Sequence, residues 1–254
     1  FDNHQALGVR NSAAAVPDIR TLLGSGEDTA KALFLTHSHP DHLNGIIHYL
    51  KAGYRLPTLY AGKYTFMILA DLYKIYQIPR TKRPPEIEIA PGDNIKIGSL
   101  QIEVISSSHT CFDSFGFIIK SASGSVYHSG DMKMDQSTYF RKPTDIKRLQ
   151  ALSDTIDYAV VDFYGVYDDG FATREADTFK RLTKLLQNNS QRKIFLPVYP
   201  THPEMYITAF LAALKVKKNV VFFGNPDFYS YLHLIQQYGI DFSKLAGERI
   251  KVIY

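Results

Sequence analysis

The stretch Leu33-Phe-Leu-Thr-His-Ser-His-Pro-Asp-His-Leu-Asn-Gly45 decides how this chain reads. An apolar run, Lys31–Thr36, ends in three histidines and an aspartate, with Pro40 set between the first two histidines and Asp41 and His42. In extended backbone, side chains two residues apart point the same way, so His37 and His39 can present their imidazoles to one ion, each ligating through a neutral nitrogen. Asp41 and His42 stand at the start of the helix expected to follow, where they could face a second ion beside the first. A His-rich solvated loop would account for the composition but not for the order of strand, His-x-His-x-Asp-His, helix and Gly45.

Outward from this segment, short β-branched and apolar runs mark strand candidates at Lys31–Thr36, Thr58–Ala61, Ile95–Ile105, Phe115–Lys120, Val126–His128, Tyr158–Phe163, Lys193–Val198 and Val220–Phe223. Helical spacing of apolar residues marks His42–Lys51, Tyr64–Tyr76, Arg174–Gln187, Pro203–Val216 and Phe228–Gln237. Up to about residue 130 the strands cluster, which predicts antiparallel pairing; from about residue 157 strand and helix alternate, which predicts parallel βαβ units. The change places a boundary near 164–174, where Gly165 and Gly170 flank an acidic loop, and divides the chain into residues 1–164 and 165–254.

The signature His-x-His-x-Asp-His resembles that of the metallo-β-lactamase superfamily. That resemblance implies a later single His and a later bridging Asp, each at its own strand end. Ser106-Ser-Ser-His109 closes the run Ile95–Ile105, and Val126-Tyr-His-Ser-Gly-Asp131 closes the next hairpin. The implied ligand set is His37, His39, Asp41, His42, His109 and Asp131 around two divalent ions, zinc or manganese. A carboxylate between two ions about 3.5–4 Å apart, the role that suits Asp131, screens their repulsion and lets a shared water ionise near neutral pH. Asp41, with His42 beside it, is the candidate to orient or deprotonate that water.

Two longer segments, His109-Thr-Cys-Phe-Asp-Ser-Phe-Gly116 and His128-Ser-Gly-Asp-Met-Lys-Met-Asp135, resemble the ribonuclease J and β-CASP branch of the superfamily. The resemblance implies an α/β fold of the αββα sandwich type, two mixed sheets with helices outside, carrying the beginning of an inserted β-CASP α/β domain and an active site in the cleft between the two. It also places Asp162 and His202 where that branch contacts substrate. The chain departs from the pattern there, with Asp162-Phe-Tyr for Glu-Ser-Thr and no Asn or Arg near His202, and an exposed turn histidine is an equal reading of His202. Asp113, Ser114 and Asp135 are expected to support ligands through hydrogen bonds. The stripe Tyr64, Phe66, Leu69, Leu72, Tyr73 and Tyr76 reads as core and rim packing, and the run Arg80-Thr-Lys-Arg83 as a solvated loop that could also lie along an RNA backbone.

Size and charge bound the rest. The 254 residues, 45% hydrophobic, can bury a full core, and a net charge of +4 permits a nucleic-acid partner without demanding one. The single cysteine, Cys111, and the lack of a signal-like or membrane-length apolar run favour a reducing, cytoplasmic setting with no membrane partner. Beginning at Phe1 and stopping at Tyr254 within an apolar run, the chain is expected to lack both natural termini; the last metal-ligand His that the resemblance implies is not in these residues, so either it follows them or the site is incomplete. The expected function is metal-dependent hydrolysis of single-stranded RNA, by a monomer or a homo- or hetero-oligomer. The competing expectations are an acyl or thioester hydrolase of the same fold, and a catalytically weak RNA-binding or partner subunit.

Overall fold

A computed structural model describes residues 16–20, 22–23, 29–138, 142–170, 172–224, 226–246 and 250–253. The chain divides into two compact units: residues 1–107, 113–131 and 145–161 form the first, and 108–112, 132–144 and 162–254 the second.

The first unit runs β1 (Ala32–Phe34), α1 (Pro40–Lys51), β2 (Thr58–Ala61), α2 (Lys63–Ile75), β3 (Glu86–Glu88), β4 (Asn94–Ile97), β5 (Leu100–Ser106), β6 (Phe115–Ser121), β7 (Gly124–His128), α3 (Ile146–Leu152) and β8 (Tyr158–Val160). Strands β1, β2 and β3 make a parallel sheet, and β4 to β8 a second sheet in chain order, antiparallel except that β8 joins β7 in parallel. The expectation of antiparallel pairing throughout this region is therefore corrected for the first sheet. Each pair of its strands is joined through a helix, α1 or α2, and a helical crossover returns the chain in the same direction.

Alternation along β5 and β6 builds the layers. Ile102, Val104, Phe115 and Phe117 pack with Ile89 against Phe34 and Tyr60 of the other sheet. The Phe34 ring stacks on Tyr60 at 4.6 Å between centroids and meets Phe117 edge-on at 5.3 Å. The opposite face, Ile105, Ile118 and Tyr127, packs on Leu149 and Leu152 of α3. Glu103 points to that same side, where its carboxylate takes a two-pronged contact from Arg148 at 2.6 and 3.0 Å. Helix α1 buries Leu43, Ile46, Ile47 and Leu50, and α2 buries Tyr64, Thr65, Ile68, Leu69 and Tyr73. Two sheets face to face with helices outside give the αββα sandwich. The run Ile95–Ile105, read as one strand, is a hairpin, because Gly98 at φ 59° turns the chain between β4 and β5.

The second unit contains α4 (Glu175–Asn188), α5 (Pro203–Lys215), β9 (Val220–Phe223), α6 (Pro226–Tyr238), α7 (Phe242–Ala246) and β10 (Ile250–Ile253). Strands β9 and β10 pair in parallel. Leu186, Ala212 and Ala213 form a small core with Phe179, Leu182, Ile194, Val216 and Val220. The run Lys193–Val198, expected as a strand, forms no ladder. Propensity alone makes no strand where no neighbour takes the backbone hydrogen bonds.

Candidate metal centre

Helix α1 fixes one side of the site. His39 is its N-cap residue and Pro40 its first residue, so the missing proline N–H falls where no helical partner exists. Asp41 and His42 thereby occupy the first turn, where a carboxylate is favoured by the helix dipole. His37 is fully buried, and its Nδ1 lies 2.9 Å from the Thr36 hydroxyl. With Nδ1–H donated to Thr36, Nε2 keeps its lone pair for a ligand. The rings of His37 and His39 meet at 4.7 Å between centroids and 81°, and His42 lies 4.1 Å from His37.

Asp131 comes from the far end of β7. Gly130 makes its approach possible: a Cβ there would stand 2.8 Å from the Thr36 Cβ and 3.0 Å from the Phe115 carbonyl oxygen, and the backbone is left-handed at φ 58°. Ser107 donates its hydroxyl to the Ser129 and Asp131 carbonyls at 3.2 and 3.4 Å, pinning the same turn. Asp131 Oδ2 then lies 3.8 Å from His37 Nε2 and Oδ1 lies 3.4 Å from His42 Nε2, which is also 3.4 Å from Asp41 Oδ2. Burial opposes the charged form of His42, but the hydrogen bond and charge of Asp131 and the charge of Asp41 outweigh it and hold the imidazole above its ordinary pKa.

His109 lies in the loop 108–112, which is joined to the first unit along the chain at Ser107 and at Asp113. Ser108 fixes this loop by bridging to Lys133, with the Lys133 N–H donated to the Ser108 carbonyl at 2.6 Å and the Ser108 N–H to the Thr144 hydroxyl at 2.9 Å. His37, His39, His109 and Asp131 each offer one ligand atom, and these atoms lie within 4.8 Å of one another. Three imidazoles and a carboxylate fit the donor set of a divalent transition metal.

The remaining candidates stand as follows. Asp162 accepts the Met132 N–H at 3.2 Å and the Tyr164 N–H at 2.8 Å, so its carboxylate holds the backbone immediately after Asp131. His202 is the N-cap residue of α5. Asp113 accepts the Tyr64 N–H at 2.8 Å at the start of α2. Asp135 accepts the Glu175 N–H at 2.7 Å and Ser137 the Ala176 N–H at 3.2 Å, so these two residues cap α4 from a distant part of the chain. Thr36, Ser107 and Gly130 were not singled out from sequence. Only the position of Thr36 directly before His37, and of Ser107 and Gly130 beside ligand candidates, could have pointed to them.

The sandwich and the strand-end cluster define the class: residues 14–181 match the family described as beta-lactamase superfamily domain, and the chain belongs to that superfamily. Within it the chain is similar to ribonuclease J. The ribonuclease J of Corynebacterium glutamicum is 30% identical over 194 residues, covering 76% of this chain and 26% of the relative. That of Mycobacterium tuberculosis is 25% identical over 225 residues, covering 88% and 38%. The chain thus spans well under half the length of these curated relatives. A solved structure from Enterococcus faecalis V583, described as a protein of unknown function, matches at a TM-score of 0.61 over 90% of this chain and 56% of that one, with 17% identity, a likeness of fold. Among the described residues no helix is long and apolar enough to cross a membrane.

Proposed function

We propose that the protein is a metal-dependent phosphodiesterase that hydrolyses single-stranded RNA. The observation that carries this reading is the Asp131 carboxylate, whose two oxygens turn to different partners, Oδ2 to His37 and Oδ1 to His42. A carboxylate so placed suits two cations: His37, His39, His109 and Asp131 would hold one, and Asp41, His42 and Asp131 the other. Zinc or manganese bound there would supply a water ionised near neutral pH and positive charge against the phosphate oxygens.

The chain's own groups orient and deprotonate. Asp41, its side chain half exposed, is held in the first turn of α1 beside His42 and takes the proton of the attacking water. Thr36 holds the His37 ring through Nδ1, and the close approach at Gly130 keeps Asp131 against it. Asp162 and His202 are assigned to substrate, Asp162 also steadying the backbone after Asp131. RNA as substrate is supported by the similarity to proteins named ribonuclease J. A buried Cys111 with no disulfide fits the cytoplasm as the setting.

The test is cleavage of end-labelled single-stranded RNA with zinc or manganese, with chelator, and by Asp41→Ala. Metal-dependent cleavage lost in Asp41→Ala supports the proposal. Intact RNA with metal verified in the site overturns it in favour of an acyl hydrolase or a binding role.

A further inference from the structure

The net charge of +4 is unevenly distributed. From Thr178 to Lys218 the chain carries eight Lys and Arg and one carboxylate, Glu204, which is 3% exposed. The rest carries 21 Lys and Arg against 24 Asp and Glu. The small positive total thus conceals a strongly cationic stretch lying wholly within the second unit.

The fold gathers these cations. Lys180 and Lys184 stand one turn apart on the exposed side of α4, whose other side buries Thr183 and Leu186. Lys218 Nζ donates to the Ser190 and Arg192 carbonyls at 2.8 and 3.1 Å, tying the end of α5 to the turn after α4. The Lys215 ammonium lies 5.3 Å over the ring of Phe179, next to Lys180. Asp177 pairs with Arg174 and Lys180 and marks one edge. Lys184, Arg192, Lys193 and Lys217 are exposed.

Lys217 is the sharpest detail. It follows the last turn of α5 at φ 58°, with its N–H on the Leu214 carbonyl, a position where glycine or asparagine is the unstrained choice. Gln77 takes the same left-handed position after α2, so the backbone does not require a cation there, and the charge of Lys217 is free to serve a partner. The other basic run, Arg80-Thr-Lys-Arg83, differs: Arg83 donates to the Ile78 carbonyl and lies over Tyr73, so its charge serves the fold.

We infer that this face of α4 and the adjoining end of α5 form a docking surface for the phosphodiester backbone of single-stranded RNA, with Lys184, Arg192, Lys193 and Lys217 on phosphates. The inference rests on the phosphodiesterase reading for the identity of the polyanion, and charge complementarity carries it.

The test is fluorescence anisotropy of a labelled single-stranded RNA with the whole chain, in chelator so that nothing is cleaved, across a salt series. The variants are Lys184→Glu with Lys217→Glu, and Lys217→Gly, which removes the cation while relieving the left-handed backbone. The double variant is expected to weaken binding and to flatten the dependence of log Kd on log salt by about 1.4, at about 0.7 per phosphate contact on a single strand. Lys217→Gly is expected to weaken binding by a smaller step with the thermal midpoint held or raised. Unchanged affinity and slope in both variants overturn the inference, as does polyglutamate displacing RNA at equal charge concentration. Hydrolysis of bis(p-nitrophenyl) phosphate by the unsubstituted chain with metal reports the catalytic reading separately. Hydrolysis with RNA binding unchanged in the variants sinks the surface alone. Variants that lose RNA binding, without hydrolysis by the parent, sustain the surface and sink the nuclease.

Discussion

The central strands of the first unit bury their apolar side chains on both faces, and the strand β9 of the second buries one face and leaves the other open. In the first, alternate residues of β5 and β6 go to two different cores, one against the other sheet and one against α3. In the second, a sheet of two strands leaves Phe223 of β9 77% exposed, and the unpaired run beside it leaves Phe195 91% exposed. A two-stranded sheet cannot cover both of its faces. The same apolar alternation is thus buried on both faces along β5 and β6 and on one face along β9, where Phe222 meets Phe210 and Phe242. What decides is whether a second layer is present to receive it. Both units bury polar groups, His37, Glu103 and a set of serines in the first and Glu204, Thr183 and Thr208 in the second, but the second also spreads its cations over an exposed helix face.

The largest effect that would sharpen this contrast lies at Asp131. Asp131→Ala removes the group facing both His37 and His42. Catalysis is expected to fall by more than the roughly 10–100-fold typical of residues standing behind metal ligands. Metal content measured on the purified variant should fall with it, while RNA affinity in chelator should stay within twofold. A variant that keeps both metal and rate would break the assignment of chemistry to the first unit.

Next comes the core between the sheets. Phe117→Ala opens a hole beside Phe34 and Val104 and is expected to cost about 3–5 kcal/mol in denaturant unfolding. A cost under about 1 kcal/mol would mean that the two sheets do not depend on each other as the packing implies. Gly130→Ala should be smaller, about 1–3 kcal/mol, from the left-handed backbone and the encroachment on Thr36. Its distinguishing mark is a loss of metal affinity, because the turn carrying Asp131 must move away from His37. Stability lost with metal affinity intact would show that the close approach serves packing alone.

How legible these features were in sequence follows the distance along the chain between the groups involved. His37, His39, Asp41 and His42 are neighbours, and strand and helix periodicity alone places them together. His109 and Asp131 have no local signal that separates them from a structural histidine and a turn aspartate; only the resemblance to a family assigned them. Thr58–Ala61 and Val220–Phe223 were readable to the residue because both are short, mostly apolar runs that find partners. Glu86–Glu88 was not readable, since a short acidic segment becomes a strand only because β2 is beside it. Lys193–Val198 is the converse, strand-like composition without a partner. Asp135, expected from sequence to support a metal ligand, instead caps α4 together with Ser137 across about 40 residues. Sequence shows that a carboxylate is near a site, and not which amides it faces.

That cap gives the smallest effect and the finest test of the comparison. Burial works against the ionised Asp135, but hydrogen bonds from the Ser137 hydroxyl and from the Glu175 and Ser137 amides, with the charge of Lys133, outweigh it and hold its pKa below the ordinary carboxylate value. A pKa lowered by folding means that the contribution is complete above the unfolded carboxylate pKa, near 4, and is lost as pH falls through the lower folded value. Asp135→Ala should therefore cost about 1 kcal/mol at neutral pH, the usual size of a lost helix cap, and progressively less in acid. Hydrogen exchange should locate the loss at the amides of the first turn of α4, with the amides of β5 and β6 unaffected. A loss spread equally over the strands of the first unit would mean that the two units unfold as one, and the contrast between them would be one of charge and packing without independence.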